Sequence, residues 1–181
     1  MNKKQAAKPK IRIALYCVGT AFLAFVAFLA FQAVAQAKAR ASRVWCVSYL
    51  KNLSGACSLW SKDHSNEFCF NVSTNLGGTL EFCDRDSNGF DRNAFRHFIV
   101  MSNELALASL LVCPSDQNRR PAKEFADLRP ENITYLIRSG TNVNETFPQE
   151  IVAICPIHHN ALMTDGSVLQ LSAAGILERT R

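Results

Sequence analysis

Cysteines and histidines are the residues of this chain whose chemistry could build a reactive or metal-binding site. Seven cysteines and four histidines occur among 181 residues. Cys155 is followed closely by His158 and His159, which brings thiol and imidazole donors together along the chain. Such donors can bind zinc, or a histidine can activate a cysteine as a nucleophile. The sequence has no C-x-x-C pair to complete a zinc motif, so a zinc site and a thiol enzyme remain minor alternatives.

A disulfide is the leading interpretation of these cysteines. Several cysteines in a small exported chain are typical of an oxidising compartment, and the N-terminus described below predicts export. Cys17 lies in an apolar run, which leaves six cysteines for up to three bridges. Cys46 and Cys57 would lie about 16 Å apart on one helix and could not pair. Cys113 and Cys155 each precede a proline at the end of a predicted strand, so a bridge between them at one sheet edge is expected.

The polar segment DRDSNGFD, residues 84–91, is a second candidate site. It places three oxygen donors at alternate positions with glycine next, as in the first half of a calcium loop. The twelfth position holds Phe95 instead of the usual glutamate, so another carboxylate would have to replace it. The alternative is a polar turn whose last aspartate caps the following helix. The calcium ligands predicted here are Asp84, Asp86, Asn88 and Asp91.

Two further aspartates have structural interpretations. Asp165 stands in TDGSV, and Asp-Gly is the dipeptide favoured by type I′ hairpins, whose two central residues need positive φ. Asp116 in CPSD suits a turn after a strand. No residue therefore receives a catalytic role, and the chain is predicted not to be an enzyme.

The elements that would position these residues are short apolar runs separated by turn residues, a pattern that predicts a small, mainly antiparallel sheet. A helix is expected from residue 91 to 107, and a short C-terminal helix from 172 to 179. Strands are expected at 68–72, 79–83, 109–113, 132–138, 150–155 and on both sides of Asp165-Gly166.

A long N-terminal helix would support this sheet. Apolar residues recur after residue 45 at spacings of 4, 3, 4 and 3, which is a helical stripe. No proline between Pro9 and Pro114 forces a break. One helix over residues 12–62, packed on a small sheet, gives an α+β fold. The stripe consists of Cys46, Leu50, Leu53, Cys57 and Trp60, widened by Val47 and Leu59.

Residues 13–35 form an apolar run long enough for a transmembrane helix, since about 20 residues cross the hydrocarbon core. Basic residues precede this run and no acidic residue does, so the positive-inside rule places the N-terminus in the cytoplasm. The alternative is a signal peptide cleaved near AVAQA, but the run exceeds the usual signal core of about 7–15 residues. A retained anchor is expected. The basic residues are Lys3, Lys4, Lys8, Lys10 and Arg12.

The expected organisation has three parts. A basic cytoplasmic segment (1–12) precedes a transmembrane helix (13–36) and an extracytoplasmic domain (37–181). Within that domain, residues 37–62 continue the helix and residues 63–181 form the globular α+β part. Outside the N-terminal segment, 15 basic residues balance 15 acidic ones, which argues against a nucleic-acid partner and leaves the membrane as the expected one.

This layout resembles the bacterial type IV prepilin-like and type II secretion pseudopilin-like proteins, in particular the branch with a C-terminal His…Asp-Gly motif. The most specific pieces are the Cys-Pro-Ser-Asp and Asp-Gly-Ser-Val elements. The resemblance covers most of residues 37–171, in the order of the family. It is carried by the stretches 37–68, 72–82, 95–105, 110–128, 132–137 and 158–171.

The resemblance fails at the helix start. Family members carry Gly-Phe-Thr-Leu-Ile-Glu there, where a peptidase cleaves after the glycine and the glutamate aids subunit docking. Here Gly19 is followed by Thr20, and the first acidic residue of the chain is Asp63. The C-terminal motif also departs, with six residues between His158 and Asp165 where the branch has nine. These differences put processing and polymerisation in doubt.

The resemblance implies a pilin-like fold: a long helix, half membrane-spanning and half amphipathic, packed on a small antiparallel sheet. It also implies a non-enzymatic structural subunit of the inner membrane with its body in the periplasm or at the cell surface. The protein would then be a divergent minor component of a type II secretion or type IV pilus-like assembly, with other pilin-like subunits as partners. The alternative is an unprocessed anchored domain that binds a partner or ligand.

Overall fold

A computed structural model describes residues 7–172 of the chain. The predicted C-terminal helix and the first six residues of the basic segment lie outside the described residues. Helix α1 spans Ala7–Lys62, the extent that the sequence predicts to within a few residues. The remaining elements are helices α2 (Ala94–Val100) and α3 (Ser102–Leu105), and strands β1 (Leu136–Ile137), β2 (Ile151–Ile154), β3 (Asn160–Met163) and β4 (Val168–Gln170).

The chain divides into two compact units, one up to Ala41 and one from Ser42, a few residues beyond the predicted domain boundary. In the first unit, apolar side chains are exposed all round the helix, among them Phe22 (65 %) and Phe31 (71 %). By length and composition, α1 is the helix among the described residues that could cross a membrane. A helix that is apolar on every side needs an apolar environment, so this segment could serve as a membrane anchor.

In the second unit, the later part of α1 has one buried face. All five residues of the predicted stripe are at most 5 % exposed, which confirms the period that the sequence indicates. Val47 is half-buried, and Leu59 is 54 % exposed and therefore lies outside this face. The stripe packs in one hydrophobic core with residues of β2 and β3, such as Val152 and Leu162.

The four strands form one antiparallel sheet in the order β1-β2-β3-β4. Leu136 pairs with Ile154, Ile154 with Ala161, and Ala161 with Leu169. All residues of β2 and β3 are buried, whereas β4 at the edge is largely exposed. A long helix packed on a small antiparallel sheet confirms the predicted α+β fold.

Three predicted strands are wrong. Phe68, Cys69 and Phe70 are all buried, whereas a strand with one core face would turn alternate side chains to solvent. The chain instead coils so that consecutive residues face the core. The segments 68–72, 79–83 and 109–113 contain the 3₁₀ turns Cys69–Asn71, Leu80–Phe82 and Ala108–Leu111.

Other predicted boundaries shift. The helix expected over 91–107 is split into α2 and α3 around Met101. The strand expected over 132–138 is reduced to β1 and an isolated bridge between Arg138 and Phe90. The β3–β4 turn is not type I′, because Gly166 has positive φ (79°) but Asp165 does not. Gly166 N–H donates to the Met163 carbonyl, a tight turn followed by a left-handed glycine, which is the usual three-residue hairpin loop.

Candidate functional site

Two groups of three or more metal-ligating side chains occur among the described residues, and within each group the ligand atoms lie within 4.8 Å of one another. We call the first the thiol cluster; it consists of Cys46, Cys113, Cys155 and His158. We call the second the histidine–carboxylate cluster; it consists of Cys83, Asp91 and His97. The two clusters differ in how far their polar atoms have hydrogen-bond partners within the protein.

Four separate segments contribute to the thiol cluster. Cys46 begins the buried stripe of α1, and Cys155 directly follows β2. Cys113 follows the 3₁₀ turn at 108–111, and His158 lies in the loop between β2 and β3. The three cysteines are at most 1 % exposed, and His158 is half-buried at the outer side of the cluster.

The Cys-Pro-Ser-Asp stretch fixes Cys113. The Cys113 N–H donates to the Thr134 hydroxyl (3.1 Å), and this hydroxyl donates to the Asp116 carboxylate (2.7 Å). Burial raises the pKa of Asp116, but the hydrogen bonds from Thr134 and from the N–H groups of Asn118 and Arg119 outweigh it and lower the pKa overall. Asp116 is thus a structural turn residue, as its sequence context predicts, and it also holds the backbone of Cys113.

His158 is oriented through both ring nitrogens. Its Nδ1 lies 3.4 Å from the Cys113 sulfur, and its Nε2 lies 3.1 Å from the Ser115 hydroxyl. The Ser115 hydroxyl in turn donates to Ser42 on α1 (3.0 Å). The arrangement leaves Nδ1 facing the three sulfurs while Nε2 is held by a hydroxyl chain.

Protein donors also point at the sulfur atoms. The Asn160 side-chain amide donates to the Cys46 sulfur (3.4 Å), and the Tyr135 hydroxyl donates to the same atom at 3.9 Å. The His158 backbone N–H donates to the Cys155 sulfur (3.5 Å). Hydrogen bonds of this kind stabilise a thiolate more than a neutral thiol.

The thiols of the cluster shift one another's pKa values in opposite directions. Hydrogen bonds from Cys113 and then from Cys155 lower the pKa of Cys46 to about 3. Hydrogen bonds to Cys155 and Cys46 raise the pKa of Cys113, because a second thiolate beside the first is disfavoured. The cluster thus favours a first thiolate and disfavours a second one beside it. A bound cation would offset this negative charge.

Three kinds of chemistry suit these groups: a metal ion, a disulfide or a thiolate nucleophile. The cysteines are free thiols in the structure. Cys113 and Cys155 come together as the sequence predicts, although Cys113 follows a turn and not a strand, and the bridge between them stays a prediction. A nucleophile needs access to its substrate, and burial of all three sulfurs removes that access.

The histidine–carboxylate cluster is satisfied within the chain. The Asp91 carboxylate accepts hydrogen bonds from His97 Nε2 (3.2 Å) and from the Ser139 hydroxyl (2.6 Å). It also accepts from two backbone N–H groups, those of Asp84 and Asn93. His97 Nδ1 lies 2.7 Å from the Thr79 hydroxyl. Each of these polar atoms has a protein partner.

The Cys83 thiol completes this cluster without acting as a ligand. Burial and, to a smaller extent, the neighbouring Asp91 carboxylate raise the pKa of Cys83 to about 11, against the lowering effect of the Ser139 hydroxyl. Thr79, His97 and Asp91 resemble a hydroxyl–imidazole–carboxylate triad, but Thr79 and His97 are 0 % exposed and Asp91 7 %. Their role is therefore to fill the polar part of the core.

The predicted calcium loop forms a polar turn. Asp86 accepts hydrogen bonds from the N–H groups of Asn88 and Phe90, and Asp84 pairs with Arg92 at 3.3 Å. The Asp91 carboxylate is buried against His97 and meets the loop only through the backbone N–H of Asp84. Asp91 does not form the N-cap of α2, which is Asn93, although its carboxylate accepts from the Asn93 N–H. Calcium binding stays a prediction, and the contacts of Asp84, Asp86 and Asp91 do not require it.

Sequence reasoning missed Cys46 as a member of the thiol cluster and Asn160 as a hydrogen-bond donor to its sulfur. The helical stripe placed Cys46 on the buried face of α1, but nothing in the sequence indicated which cysteines lie opposite it. Sequence reasoning assigned His97 no role, and the structure buries it fully. His64 stacks on Trp60, and His159 adopts positive φ in the loop after Cys155, so neither joins the site.

A cavity of about 330 Å³ provides a separate concave surface in the second unit. It lies between α1 and the β3–β4 turn. Its polar rim includes Ser54, Glu145 and Asp165.

Compared with known proteins, the chain matches no protein-family model, no curated protein and no solved structure.

Proposed function

We propose that this chain is a non-enzymatic, single-pass protein of a bacterial inner membrane and a divergent pilin-like or pseudopilin-like subunit. It would be a minor component of a type II secretion or type IV pilus-like assembly. The observation that carries the proposal is the composition of α1. One helix supplies both an exposed apolar segment of membrane length and the buried stripe of an α+β domain.

The proposed topology follows from charge. Basic residues before the apolar run favour a cytoplasmic N-terminus and a periplasmic or surface-exposed domain. The membrane is therefore the first partner of the protein.

The apolar segment offers a surface for other subunits. Membrane helices associate through small residues that let their backbones approach closely. Small residues recur through the segment. Apart from the adjacent backbone of its own helix, an added Cβ at Gly19 would meet no atom of the described residues within 4 Å, so this position leaves room for a neighbouring helix. The recurring residues are Gly19, Ala21, Ala24, Ala27, Ala30 and Ala33.

The second candidate is an anchored domain that does not polymerise and binds a ligand or partner. Two observations favour it: the processing glycine and early glutamate are missing from the helix start, and the second unit carries the cavity beside Ser54 and Glu145. On this alternative, the helix anchors the protein and the domain alone does the binding.

Cys17 allows the two candidates to be distinguished. It is an exposed cysteine in the apolar segment, so mild oxidation in native membranes would link neighbouring helices through it. The assembly proposal expects disulfide-linked dimers in the wild type and none in Cys17→Ser. Mass spectrometry of the native N-terminus adds a second test, with cleavage and N-methylation expected for a processed subunit. Monomers alone, with an intact N-terminus, would overturn the assembly proposal in favour of the anchored domain.

A further inference from the structure

We propose that the thiol cluster is a tetrahedral Zn²⁺ site that ties helix α1 to the sheet. Its four ligands would be the sulfurs of three cysteines and Nδ1 of one histidine: Cys46, Cys113, Cys155 and His158. This site goes beyond the proposed function, because it does not depend on whether the protein assembles.

The ligand geometry fits the ion. Tetrahedral zinc with Zn–S bonds of about 2.3 Å and Zn–N bonds of about 2.0–2.1 Å separates two sulfurs by about 3.8 Å and sulfur from nitrogen by about 3.6 Å. The His158 Nδ1 to Cys113 sulfur distance is 3.4 Å, and all ligand atoms lie within 4.8 Å of one another. Shifts of about 1 Å or less would therefore close the site around zinc.

The surroundings are those of a metal site. Ligating histidines donate their second ring N–H to an outer partner, and His158 has Ser115 in that place. With Nδ1 on the metal, Nε2–H donates to the Ser115 hydroxyl, which donates to Ser42. Asn160 and the His158 backbone donate to two of the sulfurs, which offsets the excess negative charge of three thiolates on a divalent ion.

Disulfide chemistry cannot use the whole cluster. Three thiols form at most one bridge among themselves, which leaves the third buried thiol without a partner. A bridge between Cys113 and Cys155 would also leave the Asn160 amide donating to a lone Cys46 sulfur. Zinc uses all three thiols and the histidine together. The number of ligands and their burial describe a closed, structural site and not a catalytic one with an open position.

Zinc binding can be tested on the full-length protein purified in detergent. Reduced protein is loaded with Zn²⁺ and freed of excess metal, and the zinc is measured by elemental analysis. We expect one zinc per chain in the wild type and in Cys57→Ala, a matched control with a buried cysteine elsewhere on α1. We expect a loss of stoichiometric zinc in Cys46→Ala and in His158→Ala. Zinc retained in both ligand variants would overturn the proposal.

A second measurement needs no variant and so does not depend on variant folding. The three cluster thiols are buried, so alkylation is carried out at a urea concentration that opens the metal-free domain. Zinc should then slow alkylation of these three thiols in the wild type, with peptide mapping to read each cysteine, while Cys17 reacts equally with and without the ion. Co²⁺ in place of zinc should give the absorption of a tetrahedral thiolate site. Equal labelling with and without zinc, or a Cys113–Cys155 disulfide in protein isolated from membranes without reductant, would overturn the proposal.

Ser115→Ala tests the outer hydrogen bond. Loss of an outer partner lowers metal affinity by about 10–100-fold. We expect a weakening of this order for Zn²⁺ measured by competition with a chelator, with stoichiometry still one at saturation. An unchanged affinity would show that Nε2 is not oriented through Ser115 and would count against His158 as a ligand through Nδ1.

Discussion

The two clusters both combine cysteine with histidine, but only the histidine–carboxylate cluster includes a carboxylate. In the histidine–carboxylate cluster, the Asp91 carboxylate accepts four hydrogen bonds, and both nitrogens of His97 have partners. In the thiol cluster, three sulfurs and an imidazole nitrogen converge with no counter-charge among them. The histidine–carboxylate cluster is completed by hydrogen-bond partners within the protein, whereas the thiol cluster has the set of side chains that would bind a metal ion.

The difference shows why proximity alone does not identify a site. Buried polar groups require partners, and a cluster whose partners all come from the chain has a structural role. Cys83 keeps its proton beside Asp91, so it adds no ligand to the histidine–carboxylate cluster. Cys46 sits among donors that favour its thiolate, which is the ligand form of cysteine.

The largest expected effect comes from breaking the histidine–carboxylate cluster. Asp91→Ala removes the acceptor of four hydrogen bonds and should lower the free energy of unfolding by about 3–5 kcal/mol, as for other buried polar pairs that lose one member. Asp84→Ala is the matched control in the same loop, where an exposed pair contributes about 1 kcal/mol or less. Urea denaturation in detergent measures both. Equal losses would show that Asp91 does not anchor the core.

Metal removal should affect only the thiol cluster. With free zinc at about 100 times its Kd, binding adds about 2.7 kcal/mol to stability, which a chelator then removes. Thermal denaturation with zinc and with chelator should therefore differ for the wild type and for His97→Gln, but not for Cys155→Ala. A chelator effect that persists in Cys155→Ala would place the stabilising metal elsewhere.

Acid should weaken the histidine–carboxylate cluster. Burial raises the pKa of Asp91, but hydrogen bonds from His97 and Ser139 outweigh it and hold the pKa well below its ordinary value of 3.8. The pKa of Asp91 is therefore lower in the folded protein than in the unfolded chain. The stability contributed by its ionised carboxylate is complete above pH 3.8 and is lost as the pH falls below that value, towards the pKa of the folded state. Denaturation of the metal-free protein between neutral pH and pH 2 should show this loss. Asp91→Asn should flatten this part of the profile, and an unchanged profile would contradict the assignment.

The smallest expected effect is at Thr79. Thr79→Val removes the hydroxyl beside His97 Nδ1 at nearly constant volume and should reduce stability by about 1.5 kcal/mol. Zinc affinity should not change, whereas Ser115→Ala should show the opposite pattern. Equilibrium denaturation combined with chelator competition distinguishes the two variants. A Thr79→Val change in zinc affinity would mean that the clusters are coupled.

The sequence predicts the frame of the fold well where periodicity is strong. The stripe from Cys46 to Trp60 and strand β2 were placed correctly, because one buried face or a fully buried run leaves a clear pattern. The predicted strand at 68–72 failed because aromatic residues favour strands locally, while here consecutive side chains all enter the core. Tertiary packing overrode local preference.

The site was harder to predict than the fold. Cys113 and Cys155 were paired from their prolines, and the structure does bring them together. Cys46 lies 67 residues before Cys113 in the chain, so only the packing of α1 on the sheet shows that it faces the other two thiols. His97 carries no sequence signal of its burial, because its partners Thr79 and Asp91 come from segments whose fold was predicted incorrectly or only in part.

X-ray absorption at the zinc edge of the full-length protein tests the difference between the clusters most directly. The thiol cluster predicts a first shell of three sulfurs at about 2.3 Å and one nitrogen at about 2.0–2.1 Å. The same spectrum is expected for His97→Gln, whereas His158→Ala, which should not retain stoichiometric zinc, is expected to lack this first shell. A first shell of nitrogen and oxygen only, or the absence of bound zinc from the reduced, zinc-loaded wild type, would contradict the account.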